Sequence, residues 1–142
     1  MASVFSKIIA GEIPGRFVWA DDHVVAFLDV NPQTDGHVLV VPREEIDRWT
    51  DMSPELAAHM FAVGHIIGKE LRVVFGSERT GVVIEGFAVP HTHLHLFPAN
   101  SSADFDPTHL TGSTEPEDMD ANAQKIRDAL RAAGHGEFVP EA

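Results

Sequence analysis

The stretch VPHTHLHLFP, residues 89–98, places histidines at three alternate positions, His91, His93 and His95. Side chains alternate between the two faces of a β-strand, so this spacing predicts one strand with all three imidazoles on the same face. The leucines beside them would lie on the opposite face, where a hydrophobic core is expected. The chain has nine histidines in 142 residues, so a third of them in ten positions calls for an explanation.

Three explanations fit such a row of imidazoles: a metal site, a solvent-exposed strand face, or catalysis. On a straight strand, His91 and His95 would lie roughly 13 Å apart, whereas a Zn–N bond is only about 2.0–2.1 Å long. A metal would therefore need further ligands, and no spacing in the chain identifies them. An exposed face has no reason to prefer histidine. A neutral imidazole is both a nucleophile and a proton carrier, so catalysis, with attack at phosphorus as suitable chemistry, is favoured and no metal is expected.

The rest of the chain predicts an α+β domain with about five strands, one long central helix and a terminal helix. The central helix is the clearest element. Ser53 suits its N-cap, Pro54 its first turn, and apolar residues recur every three or four positions up to Gly76. The other predicted elements are helices over about 4–10 and 117–134, and strands over 16–20, 23–30, 37–42, 80–86 and 92–97.

Composition narrows the classes of partner. A net charge of −12 at pH 7 argues against nucleic acid and anionic membrane surfaces, because no basic footprint offsets phosphate repulsion. A small phosphate ligand remains compatible, since backbone N–H groups can hold it. No apolar run approaches the length of a membrane span. The chain has no cysteine, which excludes disulfides and thiolate chemistry, and a cytoplasmic protein is the default expectation.

The histidine row, followed by Leu96 and Phe97, resembles the H-φ-H-φ-H-φ-φ motif of the histidine-triad (HIT) superfamily, in which φ is an apolar residue. Thr92 is a tolerable departure from it. The upstream segment AFLDVNPQTDGHVLVVP, residues 26–42, resembles the same family independently and in the right order. The resemblance covers about residues 3–98.

Members of that family are α+β proteins with a five-stranded antiparallel sheet, usually homodimeric, that bind nucleoside monophosphates and hydrolyse or transfer at the α-phosphorus. By resemblance, His93 is the nucleophile that forms a nucleotidyl-histidine intermediate, and His95 contacts the phosphate and the leaving group. His91 and His37 would support these two, and Asp29 would bind ribose hydroxyls. The remaining residues expected around the nucleotide are Phe5, Ile8, Phe27, Leu28 and Val30 at the base, and Gly86, Phe87, Ala88 and Val89 before the triad.

Simpler roles remain open for most of these residues. The apolar ones could serve only core packing, Asp29 could be a turn residue at a strand end, and His37 could be a structural histidine. The other histidines are interpreted as structural or exposed: His23, His59, His65, His109 and His135.

The sequence departs from the family at two places. Many members carry Cys-x-x-Cys near the N-terminus, which binds zinc with histidines elsewhere, but Ser3 and Ser6 occupy those positions here. We therefore expect no structural zinc. Before the triad, Ile84, Phe87 and Ala88 replace polar residues that normally donate hydrogen bonds to the phosphate or leaving group. Loss of such a donor can cost about 10²–10³ in rate.

The expected function is that of a hydrolase or transferase acting on a purine nucleoside phosphoramidate or a related nucleotide ester, without a cofactor. The alternatives are a dinucleoside polyphosphate hydrolase and a nucleotide-binding or interaction module with weak or no catalysis. The expected organisation is a HIT domain over residues 1–110, with a helical extension over 111–142 packed on the same domain.

Overall fold

The computed structural model describes residues 2–142 and contains one five-stranded antiparallel sheet in the order β1-β2-β3-β5-β4. The strands that are buried along nearly their whole length, β2, β3 and β5, occupy its middle, while β1 and β4 form its edges. This confirms the predicted α+β class and the five-stranded antiparallel sheet. The bounds are β1 Phe17–Ala20, β2 Val24–Leu28, β3 Val38–Pro42, β4 Arg79–Val83 and β5 Leu94–Ala99.

Three α-helices accompany the sheet, as the sequence predicts. They are α1 Val4–Ile9, α2 Pro54–Val74 and α3 Pro116–Leu130. The predicted cap of α2 is present, because the Ser53 side chain accepts a hydrogen bond from the Leu56 N–H at 3.1 Å. Within residues 2–142, no helix has the length and apolar character that crossing a membrane requires.

The two faces of the sheet pack differently, and this difference positions the functional site. On one face, α2 and α3 cover the main core, which includes Leu94 and Leu96 of β5. Gly64 of α2 is needed there, since a Cβ at that position would come within 2.7 Å of the Leu94 side chain. On the other face, Phe5 and Ile8 of α1 cover a smaller cluster with residues of β2 and β3.

One expectation about the histidine row is wrong. Strand β5 begins at Leu94, so of the three histidines only His95 belongs to it. Pro90 has no N–H to give to a ladder, and the N–H and the hydroxyl of Thr92 both donate to the carbonyl of Ile46 instead of pairing with a strand. His91 and His93 therefore lie in the segment that leads into the strand.

The C-terminal helix shares the main core with the rest of the chain. Met119, Ala123, Ile126 and Leu130 on one face of α3 are buried in the same cluster as the sheet residues. The helical spacing predicts these four residues for the buried face. It also predicts Ala133 there, which is wrong, because α3 ends at Leu130 and Ala133 is exposed. The division into a domain over 1–110 and an extension over 111–142 stays a prediction.

Two valines of α2 allow a matched test of the packing on the main core. We expect Val63→Ala to lower the free energy of unfolding by about 2 kcal/mol, because the side chain is 2% exposed and its loss leaves a cavity. Val73→Ala, in the same helix but 72% exposed, should change it by less than about 0.5 kcal/mol. Urea denaturation of both variants measures the difference, and equal effects would contradict this assignment of the core.

Candidate functional site

A cavity of about 1120 Å³ opens on the face of the sheet that carries α1. It collects side chains from α1, from the ends of β2 and β5, and from the loop that precedes the triad. Twelve residues that the sequence marks as site candidates line it: Phe5, Ile8, Phe27, Leu28, Asp29, Val30, His37, Gly86, Ala88, Val89, His93 and His95.

Two candidates do not line the cavity. The Phe87 side chain is 92% exposed and extends away from it into solvent, so any role in ligand binding would fall to its backbone. His91 is fully buried. Its imidazole lies behind the cavity wall, where Nε2 contacts the carbonyl oxygen of Pro42 at 2.7 Å.

The orientation of His93 leaves one ring nitrogen available for chemistry. Nδ1 lies 2.7 Å from the carbonyl oxygen of His91. Because a carbonyl only accepts, Nδ1 must carry the proton, and Nε2 of the neutral ring keeps its lone pair. The ring packs edge-on between Phe5 and His95, with both centroid distances at 4.8 Å.

A second chain of hydrogen bonds fixes the protons on His37 and His95. The Gln33 N–H donates to His37 Nδ1 at 2.9 Å, so the neutral His37 ring carries its proton on Nε2. That Nε2–H donates to His95 Nδ1 at 2.9 Å. His95 in turn must carry its own proton on Nε2, which makes it a hydrogen-bond donor on the cavity wall.

Burial keeps these imidazoles neutral. It is the largest cause that lowers the pKa of His37 to about 3, with the neighbouring His95 and His93 contributing. It likewise lowers the pKa of His95 to about 4, with a contribution from His93. Near pH 7, His37 and His95 can donate hydrogen bonds but carry no positive charge.

Asp29 directly follows β2 at the cavity wall. One of its carboxylate oxygens accepts from the Asn31 N–H at 2.9 Å, and the other lies 3.7 Å from His37 Nε2, beyond hydrogen-bonding distance. Burial raises the pKa of Asp29, while the Asn31 N–H and His93 oppose this shift. The second oxygen is therefore available to accept hydrogen bonds from a ligand.

Ligand atoms of Asp29, His37 and His95 lie within 4.8 Å of one another, but their protonation does not suit a metal. A metal on His37 Nε2 would need a lone pair where the proton lies. Moving that proton to Nδ1 would direct it at the Gln33 N–H, two donors facing each other at 2.9 Å. The geometry favours a hydrogen-bonded relay over metal coordination.

Aromatic rings form the apolar part of the wall. Phe5 and Phe27 pack edge to face with centroids 5.6 Å apart, and Phe17 packs on Phe27 at 5.7 Å. Phe5 and Phe27 also belong to the buried cluster under α1. These two residues therefore pack in the core and line the cavity at the same time.

The sequence did not reveal two parts of the site. Gln33 acts through its backbone N–H on His37, and its buried side-chain amide donates to the backbone carbonyls of Asp106 and His109. A role carried by the backbone leaves no side-chain signal in the sequence. Arg127 of α3 also lines the cavity and donates through Nε to the Phe17 carbonyl at 2.7 Å, but nothing in its spacing shows that this helix borders the site.

Comparison with known proteins places the chain among HIT proteins. The model of the HIT domain family matches residues 10–102. An uncharacterized HIT-like protein of Mycobacterium tuberculosis is 33% identical over 135 residues, with 92% of this chain and 94% of that protein covered. The purine nucleoside phosphoramidase of Escherichia coli is 34% identical over 106 residues, covering 66% and 84%. A Zn-bound histidine triad protein from Mycobacterium smegmatis has a TM-score of 0.79 at 29% identity, covering 94% and 96%.

The low pKa of His37 predicts a pH-dependent stability. A histidine that is neutral in the folded protein but protonates near pH 6.5 when unfolded contributes stability that is complete above that value. This stability is lost as the pH falls toward the folded pKa of about 3. We expect the free energy of unfolding to decline below pH 6.5 by about 1.4 kcal/mol per pH unit from this residue.

Denaturation at pH 6.0 and 5.0 measures that slope. His37→Gln should reduce it by about this amount, whereas replacement of the exposed His65 on α2 by glutamine should leave it unchanged. An unaltered slope in His37→Gln would contradict the neutral state of the buried ring.

Proposed function

Because this chain belongs to the HIT domain family, we propose that it hydrolyses or transfers at the α-phosphate of a purine nucleotide through a nucleotidyl-histidine intermediate. The observation that carries the proposal is the state of His93. Its Nδ1–H is held by a backbone carbonyl, and its Nε2 lone pair is left at a cavity with a hydrogen-bond donor and an acceptor on the wall.

The first step would join His93 Nε2 to the α-phosphorus and break the bond from phosphorus to the leaving group. The His95 Nε2–H would donate a hydrogen bond to the phosphate or the leaving atom, where negative charge develops. Water would then break the phosphorus–histidine bond. Its hydroxyl stays on phosphorus and its proton goes to solvent, which balances the proton that the leaving group takes from solvent as it departs in the first step.

The aromatic and polar parts of the cavity wall suit the base and the ribose of a nucleotide. Phe5 and Phe27 offer aromatic edges and faces to a purine, and the open oxygen of Asp29 is placed to accept from ribose hydroxyls. The Escherichia coli relative named purine nucleoside phosphoramidase supports a phosphoramidate as one substrate class. A homodimer and a cytoplasmic location stay predictions from the family resemblance and the composition.

The size of the cavity favours a second candidate substrate. About 1120 Å³ lies at the upper end of the usual size of a small-molecule site. A ligand larger than a nucleoside monophosphate, such as a dinucleoside polyphosphate, is compatible with a cavity of this size. Loss of polar side chains at Phe87 and Ala88 favours the third alternative, a nucleotide-binding module, because this loop can offer only backbone donors.

Substitution of the nucleophile tests the proposal. We expect His93→Ala to lower turnover of an adenosine phosphoramidate at least about 10³-fold, since no other group can form the covalent intermediate. Rapid quenching followed by intact mass measurement should detect a nucleotidylated protein in the wild type and none in the variant. The matched control is His65→Ala, because His65 is an exposed histidine on α2.

Each alternative has its own outcome in that experiment. Faster turnover of a diadenosine polyphosphate than of the phosphoramidate would favour the dinucleotide hydrolase. Tight binding of AMP, unchanged in His93→Ala and accompanied by no turnover of either substrate, would favour the binding module and contradict the proposal.

The proposed ribose contact predicts a change in KM. We expect Asp29→Asn to raise KM for the phosphoramidate about tenfold with kcat within about threefold, because a carboxylate is the stronger acceptor from hydroxyls. A 2′,3′-dideoxy substrate should be bound equally by the wild type and Asp29→Asn, since it lacks the hydroxyls. The control is Asp22→Asn, at the exposed turn between β1 and β2. If Asp29→Asn raised KM equally for both substrates, Asp29 would not contact the ribose hydroxyls.

A further inference from the structure

A cluster of four hydrogen-bonded residues lies behind the site, where the start of α1 meets the segment before β5. We define it as the Ser3 cluster, consisting of Ser3, Ser6, Glu45 and His91. We propose that Ser3, Ser6 and Glu45 are positioning residues, which fasten α1 to the histidine segment and hold His91, and through it His93, in place. The effect of the Ser3 cluster on turnover rests on the proposed function. Its effect on the positions of the His91 and His93 rings does not.

Glu45 joins α1 to the chain that follows β3. One of its carboxylate oxygens accepts from the Ser3 N–H at 2.6 Å and from the Ser6 hydroxyl at 2.7 Å. These two bonds hold the pKa of Glu45 near 2, well below its usual value. The carboxylate is therefore ionised, and its bonds to α1 persist, at any pH where the enzyme would work.

Ser3 connects that carboxylate to His91. The His91 Nε2–H donates to the Pro42 carbonyl at 2.7 Å, so Nδ1 of the neutral ring is left as a hydrogen-bond acceptor. The Ser3 hydroxyl lies 2.7 Å from Nδ1 and donates a hydrogen bond to it, while accepting one from the Ser6 N–H at 3.0 Å. Burial lowers the pKa of His91, which agrees with this neutral ring.

Two contacts make the orientation of His93 depend on the position of His91 and α1. The His91 carbonyl accepts from His93 Nδ1–H at 2.7 Å, and the Phe5 ring of α1 packs edge-on against both imidazoles, with centroids 5.9 Å and 4.8 Å away. A shift of α1 relative to Glu45 would therefore move a carbonyl and a ring that orient the proposed nucleophile.

The cluster does not fit the zinc that the family resemblance implies at this end of the chain. A structural zinc takes four ligands from thiolates, imidazoles and carboxylates. Here two of the four groups are serine hydroxyls, and Glu45 and His91, whose nearest atoms are 4.0 Å apart, supply only two usual ligands. We infer that hydrogen bonds, and not a metal ion, hold the Ser3 cluster together.

Two pairs of variants test the cluster. Glu45→Ala removes the acceptor, whereas Glu45→Gln keeps a carbonyl oxygen that can accept from Ser3 and Ser6. Ser3→Gly removes the donor to His91 but keeps a residue that tolerates the N-cap position of α1, and Ser3→Thr restores a hydroxyl. Glu44→Ala, an exposed neighbour of Glu45, is the matched control, and thermal unfolding confirms that each variant is folded.

Two readouts are measured on the intact protein. Nitrogen-15 NMR of the imidazoles should show shifted His91 and His93 ring resonances in Glu45→Ala and Ser3→Gly, and wild-type resonances in Glu44→Ala, Glu45→Gln and Ser3→Thr. Turnover of an adenosine phosphoramidate should fall about tenfold in kcat, with KM within about twofold, in the two disrupting variants only. Dialysis of the wild type against a chelator should change neither readout.

The outcomes separate this proposal from the proposed function. Shifted ring resonances in a protein that turns over no substrate would uphold the Ser3 cluster and remove the function. Normal turnover together with unmoved resonances in folded Glu45→Ala and Ser3→Gly would overturn the cluster and leave the function standing. Loss of either readout on chelation would overturn the inference that no zinc takes part.

Discussion

The site depends on one hydrogen bond, from His93 Nδ1–H to the carbonyl of His91 at 2.7 Å. A backbone carbonyl cannot donate, so this contact fixes which ring nitrogen holds the proton and leaves the other as a nucleophile. The same principle operates at His37, where the Gln33 N–H at 2.9 Å fixes the opposite tautomer. Backbone groups are held by the fold itself, so protonation at this site is set by main-chain geometry.

Patterns that depend on burial could be predicted from the sequence. Helix α2 and strand β3 were predicted correctly from their apolar patterns. The helix buries one apolar stripe, and the β-branched strand is buried on both faces. The start of β5 was predicted wrongly, because alternation at 91–95 resembles a strand although Pro90 has no N–H and the Thr92 N–H donates to the Ile46 carbonyl. A period-2 pattern records which side each residue faces, not whether its N–H joins a ladder.

The residues of the candidate site likewise fall into those that could be predicted and those that could not. The alternating histidines pointed to His93 and His95 through their residue type, and the resemblance to the HIT family added His37 and Asp29. It gave no sign of Gln33, whose contribution to His37 is a main-chain N–H. It also left Phe87 among the binding candidates, although that side chain is 92% exposed, because sequence alone does not say which way a loop residue turns.

For the anionic substrate that we propose, the neutral state of His37 and His95 would have a mechanistic consequence. Since the pKa values of His37 and His95 lie near 3 and 4, neither imidazole can offer a positive charge to a phosphate near pH 7. Stabilisation of the transition state would then come from the oriented N–H dipole of His95 and from backbone donors, which need no reorganisation. His93 itself would gain positive charge as it bonds to phosphorus, so the cation would appear only when the intermediate needs it. In the proposed reaction, a charge that forms only with the intermediate would stabilise the transition state more than the ground-state phosphate.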